Sequence, residues 1–360
     1  MKKHRILHIA PANTSGVPGQ FVQAERRLGY DSRLVTLFSD RRGYFTDICL
    51  NLPLIDMPPV RWIKKILSDP DKLRVDNRSR QPDRIPLTWK PHTRGEAVFV
   101  SLRDRLWKPR IQQAVKQYGL DQFDVIQLDG GLGLYRNADF VLAQKQKGRT
   151  LICCYTGSDL RTRGVIPAIN AASDLNVTVE FDHVRLHPDI HHVPFPFHLP
   201  ENRVHSHHDN TRPVRIGHAP TNRAAKGSNL IIPVLKKLES DLNTETILIE
   251  GMSYTRAMQA KQSCDIFVDQ IGDLGYGINA LEALAMEIPV ASCLADGFEQ
   301  QYPDHPFIRI SAQTLYDRLQ TLIKDPKLRW TVAAKGKAWL MQTHDADKVV
   351  QRIHRLAHFD

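Results

Sequence analysis

A glycine-rich loop followed by helix-forming residues is the part of the sequence best suited to chemistry. Gly275 and Gly277 follow a short apolar run at residues 266–268 and precede a helix-forming run at residues 280–285. Such a loop presents backbone N–H groups and the positive end of a helix dipole to a phosphate. Glu282 lies in the first turns of that helix, where its carboxylate could accept hydrogen bonds from two ribose hydroxyls. These residues predict a nucleotide-binding site.

Two basic residues lie in an earlier loop. Arg223 and Lys226 come soon after an apolar run at residues 214–218. Their loop resembles the start of the second domain of GT-B glycosyltransferases, and the resemblance implies that both residues hold the donor diphosphate. Fixed Arg and Lys side chains can stabilise the charge that develops on this group as it departs, so both are expected to be catalytic. Asn222 is expected to add a hydrogen bond to the same ligand. A solvent-exposed pair of basic residues is the alternative interpretation.

Residues 265–292 resemble the donor-site segment of family-4 glycosyltransferases of the GT-B type. The resemblance lies in Gly275-Tyr276-Gly277, Leu281-Glu282-Ala283-Leu284-Ala285 and Pro289-Val290. It implies that the donor is bound by Gly275, Tyr276, Gly277, Ile278 and Glu282. The family pattern pairs two glutamates. The later one matches Glu282, and the earlier one falls on Leu274 in this chain. That departure keeps open a protein that binds a nucleotide sugar without turning it over.

Two further glycines, Gly16 and Gly19, follow the first predicted strand at residues 5–10. Their loop lacks the G-x-G-x-x-G spacing of dinucleotide-binding folds. It resembles the glycine loop after the first strand of GT-B enzymes. The resemblance implies that both glycines approach the donor, and an ordinary strand-to-helix turn is the alternative.

Polar residues follow two other predicted strands. Asp129 comes after residues 122–128, and Thr156, Asp159 and Arg161 follow residues 150–155. Residues beyond the carboxyl ends of strands line the crevice of an open α/β sheet. We predict that Asp129 receives the proton of an acceptor hydroxyl or holds that hydroxyl in place. The other three resemble a family segment and are predicted to lie on the acceptor side. A turn aspartate and a helix cap are the alternatives.

Alternating apolar runs of strand and helix length predict an α/β protein. The resemblance implies two Rossmann-like domains that face each other across a cleft. A chain of 360 residues is long enough for both. We expect an N-terminal acceptor domain at 1–198, a linker at 199–213 and a nucleotide-sugar-binding domain at 214–340. A C-terminal helix within 341–360 is expected to pack back on the N-terminal domain.

The net charge of +10 favours anionic partners. Much of it comes from a basic insertion at about 40–110, where residues 61–110 carry 14 Lys and Arg against 6 Asp and Glu. Trp62, Trp89 and Trp107 lie among these residues, and frequent prolines predict no long element. Such a segment suits an anionic membrane surface, a phospholipid-linked acceptor or nucleic acid. Among these partners, a membrane or membrane-linked acceptor is preferred over nucleic acid, and a solvated insertion partly packed on the domain is the alternative.

Five cysteines without a regular spacing predict free thiols in a reducing cytoplasm. No apolar run reaches the length of about 18 residues that a membrane-spanning helix needs. The N-terminal residues are expected to form a strand rather than a signal peptide. His205, His207 and His208 lack partners at metal-ligand spacing, so no metal site is predicted. We therefore expect a cytoplasmic protein, with or without peripheral attachment to a membrane.

The resemblance implies a hexosyltransferase that moves a sugar from a nucleotide-sugar donor to an acceptor hydroxyl with retention. A saccharide or lipid-linked acceptor would place it in glycan or glycolipid synthesis. No cofactor or metal is expected, because Arg223 and Lys226 can neutralise the diphosphate. A DNA-modifying sugar transferase is an alternative, since the basic insertion could follow nucleic acid. A nucleotide-sugar-binding protein without activity is the other.

Overall fold

The computed structural model describes residues 3–40, 43–54, 86–91, 93–199, 212–272 and 275–359. The chain divides into two compact units. Unit 1 comprises Met1–Pro196 together with Ala346–Asp360, and unit 2 comprises Phe197–Asp345. Each unit contains one sheet with its own buried core.

Unit 1 contains a seven-stranded parallel sheet in the order β3-β2-β1-β4-β5-β6-β7. Its strands are β1 (Arg5–Ala10), β2 (Asp31–Thr36), β3 (Ile48–Cys49), β4 (Val125–Asp129), β5 (Thr150–Tyr155), β6 (Leu175–Thr178) and β7 (Ile190–His192). Its helices begin with α1 (Val17–Arg27), α2 (Arg94–Tyr118), α3 (Asp139–Gln146) and α4 (Pro167–Ala172). The strand order changes direction between β1 and β4, which makes the sheet doubly wound.

Unit 2 contains a five-stranded parallel sheet in the order β12-β11-β10-β8-β9. Its strands are β8 (Val214–His218), β9 (Thr244–Leu248), β10 (Ile266–Val268), β11 (Val290–Ser292) and β12 (Ile308–Arg309). Its helices are α5 (Arg223–Lys226), α6 (Ser228–Asp241), α7 (Tyr254–Gln262), α8 (Ile278–Ala285), α9 (Phe298–Gln301), α10 (Leu315–Lys324) and α11 (Pro326–Thr343). This sheet is also doubly wound, and its order changes direction between β8 and β10.

The C-terminal helix, α12 (Ala346–Leu356), belongs to unit 1 and packs on α1. Val350 and Ile353 on its inner face are buried. At its edge, Arg27 donates to the Asp347 carboxylate at 2.6 Å. Because α11 extends to Thr343, the chain returns to unit 1 only at Ala346.

Two parallel sheets with helices between their strands are the pair of Rossmann-like domains that the sequence predicted. The bounds of β1, β5, β8 and β10 coincide with the predicted apolar runs. The last strand of unit 1 is Ile190–His192, and it ends before Pro194 and Pro196. Pro194 and Pro196 lack the N–H group that a strand ladder needs.

A 25-residue helix, α2, lies where the prolines predicted no long element. Thr93 caps its first turn by accepting the Glu96 N–H at 3.1 Å, and Gly119 ends it in a left-handed conformation. Pro109 lies inside the helix. The inward face is buried around Trp107, and this packing outweighs the one hydrogen bond that the proline cannot make.

The two described tryptophans of the basic insertion pack inward. Trp107 is buried and donates from Nε1 to the Pro53 carbonyl oxygen at 2.8 Å. Trp89 packs against the same core. Trp62 lies outside the described residues, as does much of the basic insertion. The aromatic part of the predicted binding surface is therefore not supported at either described position.

All five cysteines are free thiols, and Cys153, Cys154 and Cys264 are buried. Within the described ranges, no helix has both the length and the apolar character needed to cross a bilayer. The same ranges contain no group of three or more His, Cys, Asp or Glu side chains arranged to hold a metal ion.

Candidate functional site

The loops that follow β8 and β10 meet at the carboxyl edge of the unit 2 sheet. β8 leads into the turn before α5, and β10 leads through the glycine loop into α8. These two strands are neighbours at the point where the strand order changes direction. Open α/β sheets bind their ligands at this position. The topology therefore brings the two predicted donor-binding loops together.

Asp269 joins the two loops. Lys226 Nζ donates to Asp269 Oδ1 at 2.8 Å, and the Gly277 backbone N–H donates to Oδ2 at 2.9 Å. Asp269 is buried, whereas Lys226 remains partly accessible. Asp269 was not among the predicted site residues, although an acidic side chain directly after a buried three-residue strand is a usable signal. Its carboxylate fixes the Lys226 ammonium beside the start of α8.

The glycine loop has two different backbone requirements. Gly275 adopts a φ of +74°, a conformation that L side chains rarely take. Gly277 is extended, but a Cβ there would lie 3.4 Å from Lys226 Nζ. Ile278 begins α8, whose first-turn N–H groups point away from the helix body. Leu274, which stands at the position of the missing family glutamate, lies outside the described residues.

Glu282 is buried in α8 and is paired with Lys261 of α7. Lys261 Nζ donates to Glu282 Oε2 and also to Asn279 Oδ1 at 2.9 Å. One carboxylate oxygen of Glu282, the residue predicted to bind the ribose, is therefore already bonded to Lys261. Lys261 was not identified from the sequence, because a partner 21 residues away on another helix leaves no local pattern.

Asn222 and Arg223 lie at the start of α5. Asn222 Oδ1 accepts the backbone N–H groups of Ala224 at 3.0 Å and Ala225 at 3.2 Å, so it serves as a helix cap. Its predicted donor contact through this oxygen is not supported. The exposed Arg223 donates to both oxygens of Glu250, at 2.8 and 2.6 Å, and these bonds raise its pKa. They use two of its five N–H donors.

Tyr276 does not present its side chain to a ligand. Its ring is buried and stacks on Phe307 with 4.5 Å between centroids, with Phe298 and Trp339 nearby. Its hydroxyl lies 3.1 Å from His344 Nε2. The predicted donor contact of this side chain is therefore corrected to a core contact, because an aromatic ring with a bonded hydroxyl is stabilised by that burial.

The buried His218 side chain bonds to residues next to both the β8 loop and the β10 loop. His218 at the end of β8 donates from Nδ1 to the Val268 carbonyl oxygen at 2.9 Å, and its Nε2 lies 2.9 Å from Ser228 Oγ. Burial lowers the pKa of His218. A neutral ring thus links the end of β10 to the start of α6 and stabilises the edge of the sheet near Lys226.

In unit 1, Asp129 lies in a buried chain of charges rather than at a surface. Its Oδ2 is 3.0 Å from His8 Nδ1, and its Oδ1 accepts from Gln127 Nε2 at 2.8 Å. The other nitrogen of His8 is 2.9 Å from Glu25 Oε2. Both Asp129 oxygens are engaged, so proton transfer from an acceptor would require breaking this network. The role predicted for Asp129 is not supported.

The His8 ring is positively charged, with a proton on both nitrogens, below a pH of about 10. Burial alone would lower its pKa, but the carboxylates of Glu25 and Asp129 outweigh that effect and raise the pKa to about 10. Burial would raise the pKa of Glu25, whereas His8 and His354 lower it to about 2. The cluster therefore ties β1, β4, α1 and α12 together as a structural ion-pair network.

The predicted acceptor-side residues are engaged in stabilising their own loop. Asp159 accepts backbone N–H groups from Thr156 at 2.9 Å, Gly157 at 3.2 Å and Leu160 at 2.7 Å. These bonds hold the loop before the short helix at residues 159–163, whose N-cap residue, Ser158, makes no side-chain cap bond, so the helix-cap alternative is not supported. Because the carboxylate accepts from three amides, Asp159 has a structural role, and Thr156 contributes both its N–H and its hydroxyl, at 3.5 Å, to that carboxylate.

Arg161 bonds to other side chains of unit 1. It donates to Asp182 at 2.8 and 2.6 Å and to Glu180 at 2.8 Å. Although burial opposes the charge, Glu180 and Asp182 raise the pKa of Arg161 well above its usual range. An acceptor would have to compete with two carboxylates for this guanidinium, so the predicted acceptor contact is not supported.

The glycines after β1 are explained by unit 1 itself. Gly16 has a φ of +74° and begins α1, and a Cβ on it would lie 3.3 Å from the Tyr44 ring. Gly19 donates its N–H to Asn13 Oδ1 at 3.0 Å, and a Cβ there would lie 2.6 Å from Asn13 Nδ2. The amide of Gly19 is thus already engaged, which favours the plain strand-to-helix turn.

Comparisons with solved structures show where this fold recurs. No protein-family model and no curated protein matches the chain. A glycosyltransferase from Rickettsia africae is 10% identical, with a TM-score of 0.57 over 99% of this chain and 98% of that one. Sucrose-phosphate synthase from Thermosynechococcus elongatus is 12% identical, with a TM-score of 0.57 and 98% of each chain covered. HepE from Anabaena, solved with UDP-glucose, is 12% identical, with a TM-score of 0.56 and 98% of each chain covered.

The chain has the GT-B fold. Identities of 10–12% establish the fold alone, so the reaction has to follow from the site. In this GT-B chain, Lys226, Gly275, Gly277 and Ile278 converge at the carboxyl edge of unit 2. Glu282 lies beneath them in α8.

Unit 1 of this GT-B fold also contains an open groove of about 1010 Å³ along α2. The Arg136 guanidinium lies 4.8 Å from the Trp89 ring centroid at its wall, and burial together with Arg163 and Arg103 lowers the pKa of Arg136 to about 10. None of the predicted site residues lines the groove. Its walls carry aromatic, basic and acidic side chains.

Proposed function

We propose that this protein transfers a sugar from a nucleotide-sugar donor to an acceptor hydroxyl. The observation that supports it is the Lys226–Asp269–Gly277 contact at the direction change of the unit 2 sheet. A fixed ammonium beside a helix N-terminus is suited to a diphosphate. HepE was solved with UDP and with UDP-glucose, and we extend that class of ligand to this chain.

The two cations supply the stabilisation that a departing diphosphate needs. Lys226 has three N–H donors, and its bond to Asp269 uses one. Arg223 retains donors beyond its two bonds to Glu250. Both can therefore contact phosphate oxygens while keeping the carboxylates that hold them. We assign charge stabilisation of the leaving group to this pair.

The remaining donor contacts follow from the glycine loop and α8. We assign the phosphates to the backbone around Gly275 and Ile278 and to the space that Gly277 leaves beside Lys226, because the Gly277 N–H itself is bonded to Asp269. We assign the ribose to Glu282, whose pairing with Lys261 holds it in one position. The phosphate contacts come from the backbone, so they do not depend on the identity of the sugar.

We further propose a family-4 type of reaction with retention and without a metal. Asp129 is paired with His8, so we assign the acceptor proton to the departing phosphate oxygen rather than to a protein base. The acceptor is proposed to be a saccharide or a lipid-linked glycan, and the sugar a hexose. The cationic pair supports metal independence, because it neutralises the charge that a divalent ion would otherwise balance.

Ligand binding provides the first test. Thermal unfolding is measured with UDP-, GDP- and CMP-linked sugars, because a ligand that binds only the folded state raises the melting temperature. One nucleotide class should stabilise the parent, and Lys226→Met should abolish the shift. Lys237→Met is the matched control, since Lys237 forms an exposed pair with Asp241 on α6. Equal shifts for Lys226→Met and the parent would exclude this site.

Turnover and stereochemistry provide the second test. Slow transfer to water should release free nucleotide, and the first sugar anomer formed, followed by proton NMR, should keep the donor configuration. Addition of a chelator should leave the rate unchanged. Binding without nucleotide release would instead support the non-catalytic alternative, and the opposite anomer would exclude retention.

A further inference from the structure

Helix α2 carries a stripe of apolar side chains on its outer face. Val98, Phe99, Leu102 and Leu106 are 59%, 43%, 61% and 54% exposed. Their spacing places them on one side of the helix, since residues three and four apart are neighbours. The opposite side holds Trp107 in the core of unit 1, so the stripe is turned outward by the packing.

Basic side chains border this stripe. Exposed Arg94 lies four residues before Val98, exposed Arg105 lies three after Leu102, and exposed Arg110 lies four after Leu106. The helix contains six Lys and Arg against two Asp and Glu, and one of those acids, Asp104, is buried against Arg103. The outer face of α2 is therefore both apolar and cationic.

We propose that the outer face of α2 docks on the surface of an anionic lipid bilayer. A helix of this kind lies in the interfacial plane, with its apolar side chains below the headgroups and its basic side chains against lipid phosphates. Nucleic acid would use the cations but leave exposed leucines without a role. The chain-wide charge of +10 adds long-range attraction to the same surface.

The surface is distinct from the donor-binding site of unit 2, and vesicle binding needs no donor. Failure of the docking surface and failure of sugar transfer are thus separate results. The stripe borders the groove along α2, because Arg105 lines that groove and flanks Leu102. A bilayer-bound α2 would therefore hold the groove next to lipid headgroups.

The test is co-sedimentation with vesicles of phosphatidylcholine, with and without phosphatidylglycerol. The parent should bind only the anionic vesicles, and added salt should weaken binding. Leu102→Glu/Leu106→Glu should reduce the partition coefficient at least about tenfold, because two apolar contacts are lost and two negative charges are added. Arg94→Gln/Arg105→Gln should reduce it through charge alone.

The matched control is Trp330→Glu/Met341→Glu, which changes two exposed apolar residues of α11 and should leave vesicle binding unchanged. Circular dichroism should show that each variant is folded. Equal binding by the leucine variant and the parent would overturn the proposal. So would self-association that Leu102→Glu/Leu106→Glu abolishes without vesicles, or salt-sensitive binding to duplex DNA that this variant retains.

Discussion

Asp269 and Lys226 form a 2.8 Å ion pair that also involves the backbone of Gly277. The carboxylate is buried, so it positions the ammonium without being available to a ligand itself. Residues from two loops, 43 positions apart in the chain, thus act as one unit at the edge of the sheet. Asp269 is a positioning residue in this arrangement, and Lys226 is the group that contacts the diphosphate.

Asp269→Asn should weaken donor binding although the Lys226 residue itself is unchanged. Without the carboxylate, the Lys226 side chain has to be ordered when the donor binds, which costs about 0.5–1.5 kcal/mol, so we expect the donor Kd to rise roughly two- to tenfold. Isothermal titration with the nucleotide sugar measures this change. Asp241→Asn on the exposed face of α6 is the control. Unchanged affinity in Asp269→Asn would show that Lys226 needs no positioning.

Lys261→Met should destabilise unit 2. The substitution leaves the Glu282 carboxylate buried without its partner, which typically costs about 3–5 kcal/mol. Adding Glu282→Gln should recover much of the loss, because the buried charge is then removed. Chemical denaturation followed by tryptophan fluorescence measures both. Lys337→Met, which breaks a more exposed pair with Glu287, should cost far less, and equal losses would contradict a special role for burial.

Gly275→Ala and Gly277→Ala should have different effects: the first should lower stability through backbone strain, and the second should lower donor affinity by obstructing the ligand. Gly275 has a φ of +74°, so alanine there should cost roughly 1–2 kcal/mol of stability. Gly277 is extended, and alanine there should leave stability nearly unchanged while its Cβ crowds Lys226. Donor affinity should therefore fall in the second variant. Thermal unfolding and titration distinguish the two, and an equal stability loss in both would refute the assignment.

The His8 network makes stability depend on pH in a defined direction. The folded pKa of His8, about 10, exceeds its usual 6.5, so its contribution is complete below pH 6.5 and is lost as pH rises towards 10. Glu25, with a folded pKa of about 2 against 4.5, contributes fully above pH 4.5 and loses this as pH falls towards 2. Stability should decline between pH 7 and 9 by up to about 1.4 kcal/mol per pH unit.

Urea denaturation at several pH values measures that decline. His8→Gln removes the titrating group, so its lower stability should no longer fall over the same range. His183 is a buried histidine whose pKa is shifted the other way, since burial lowers it to about 4, so it stays neutral and should not contribute to the decline between pH 7 and 9. Stability that is flat from pH 7 to 9 in the parent would contradict the charged His8 assigned to this network.

Local sequence patterns predicted most elements but few side-chain roles. The apolar runs of β1 and β10 are local signals, and the structure places both as expected. Pro109 was misleading, because a buried helix face can outweigh one missing hydrogen bond. Tyr276 was misleading for a related reason, since a motif does not show which way a side chain points.

The sequence by itself determined the α/β alternation and the glycine loop before α8, because strand length, glycine and proline act over a few residues. Only the tertiary structure decided which charges pair. Asp269 meets Lys226, Lys261 meets Glu282, and His8 meets Asp129 across 43, 21 and 121 positions of chain. The partners lie on separate strands, helices and loops. These become neighbours only when parallel strands pair in the sheet and the helices pack on it, so no local pattern reveals the pairing.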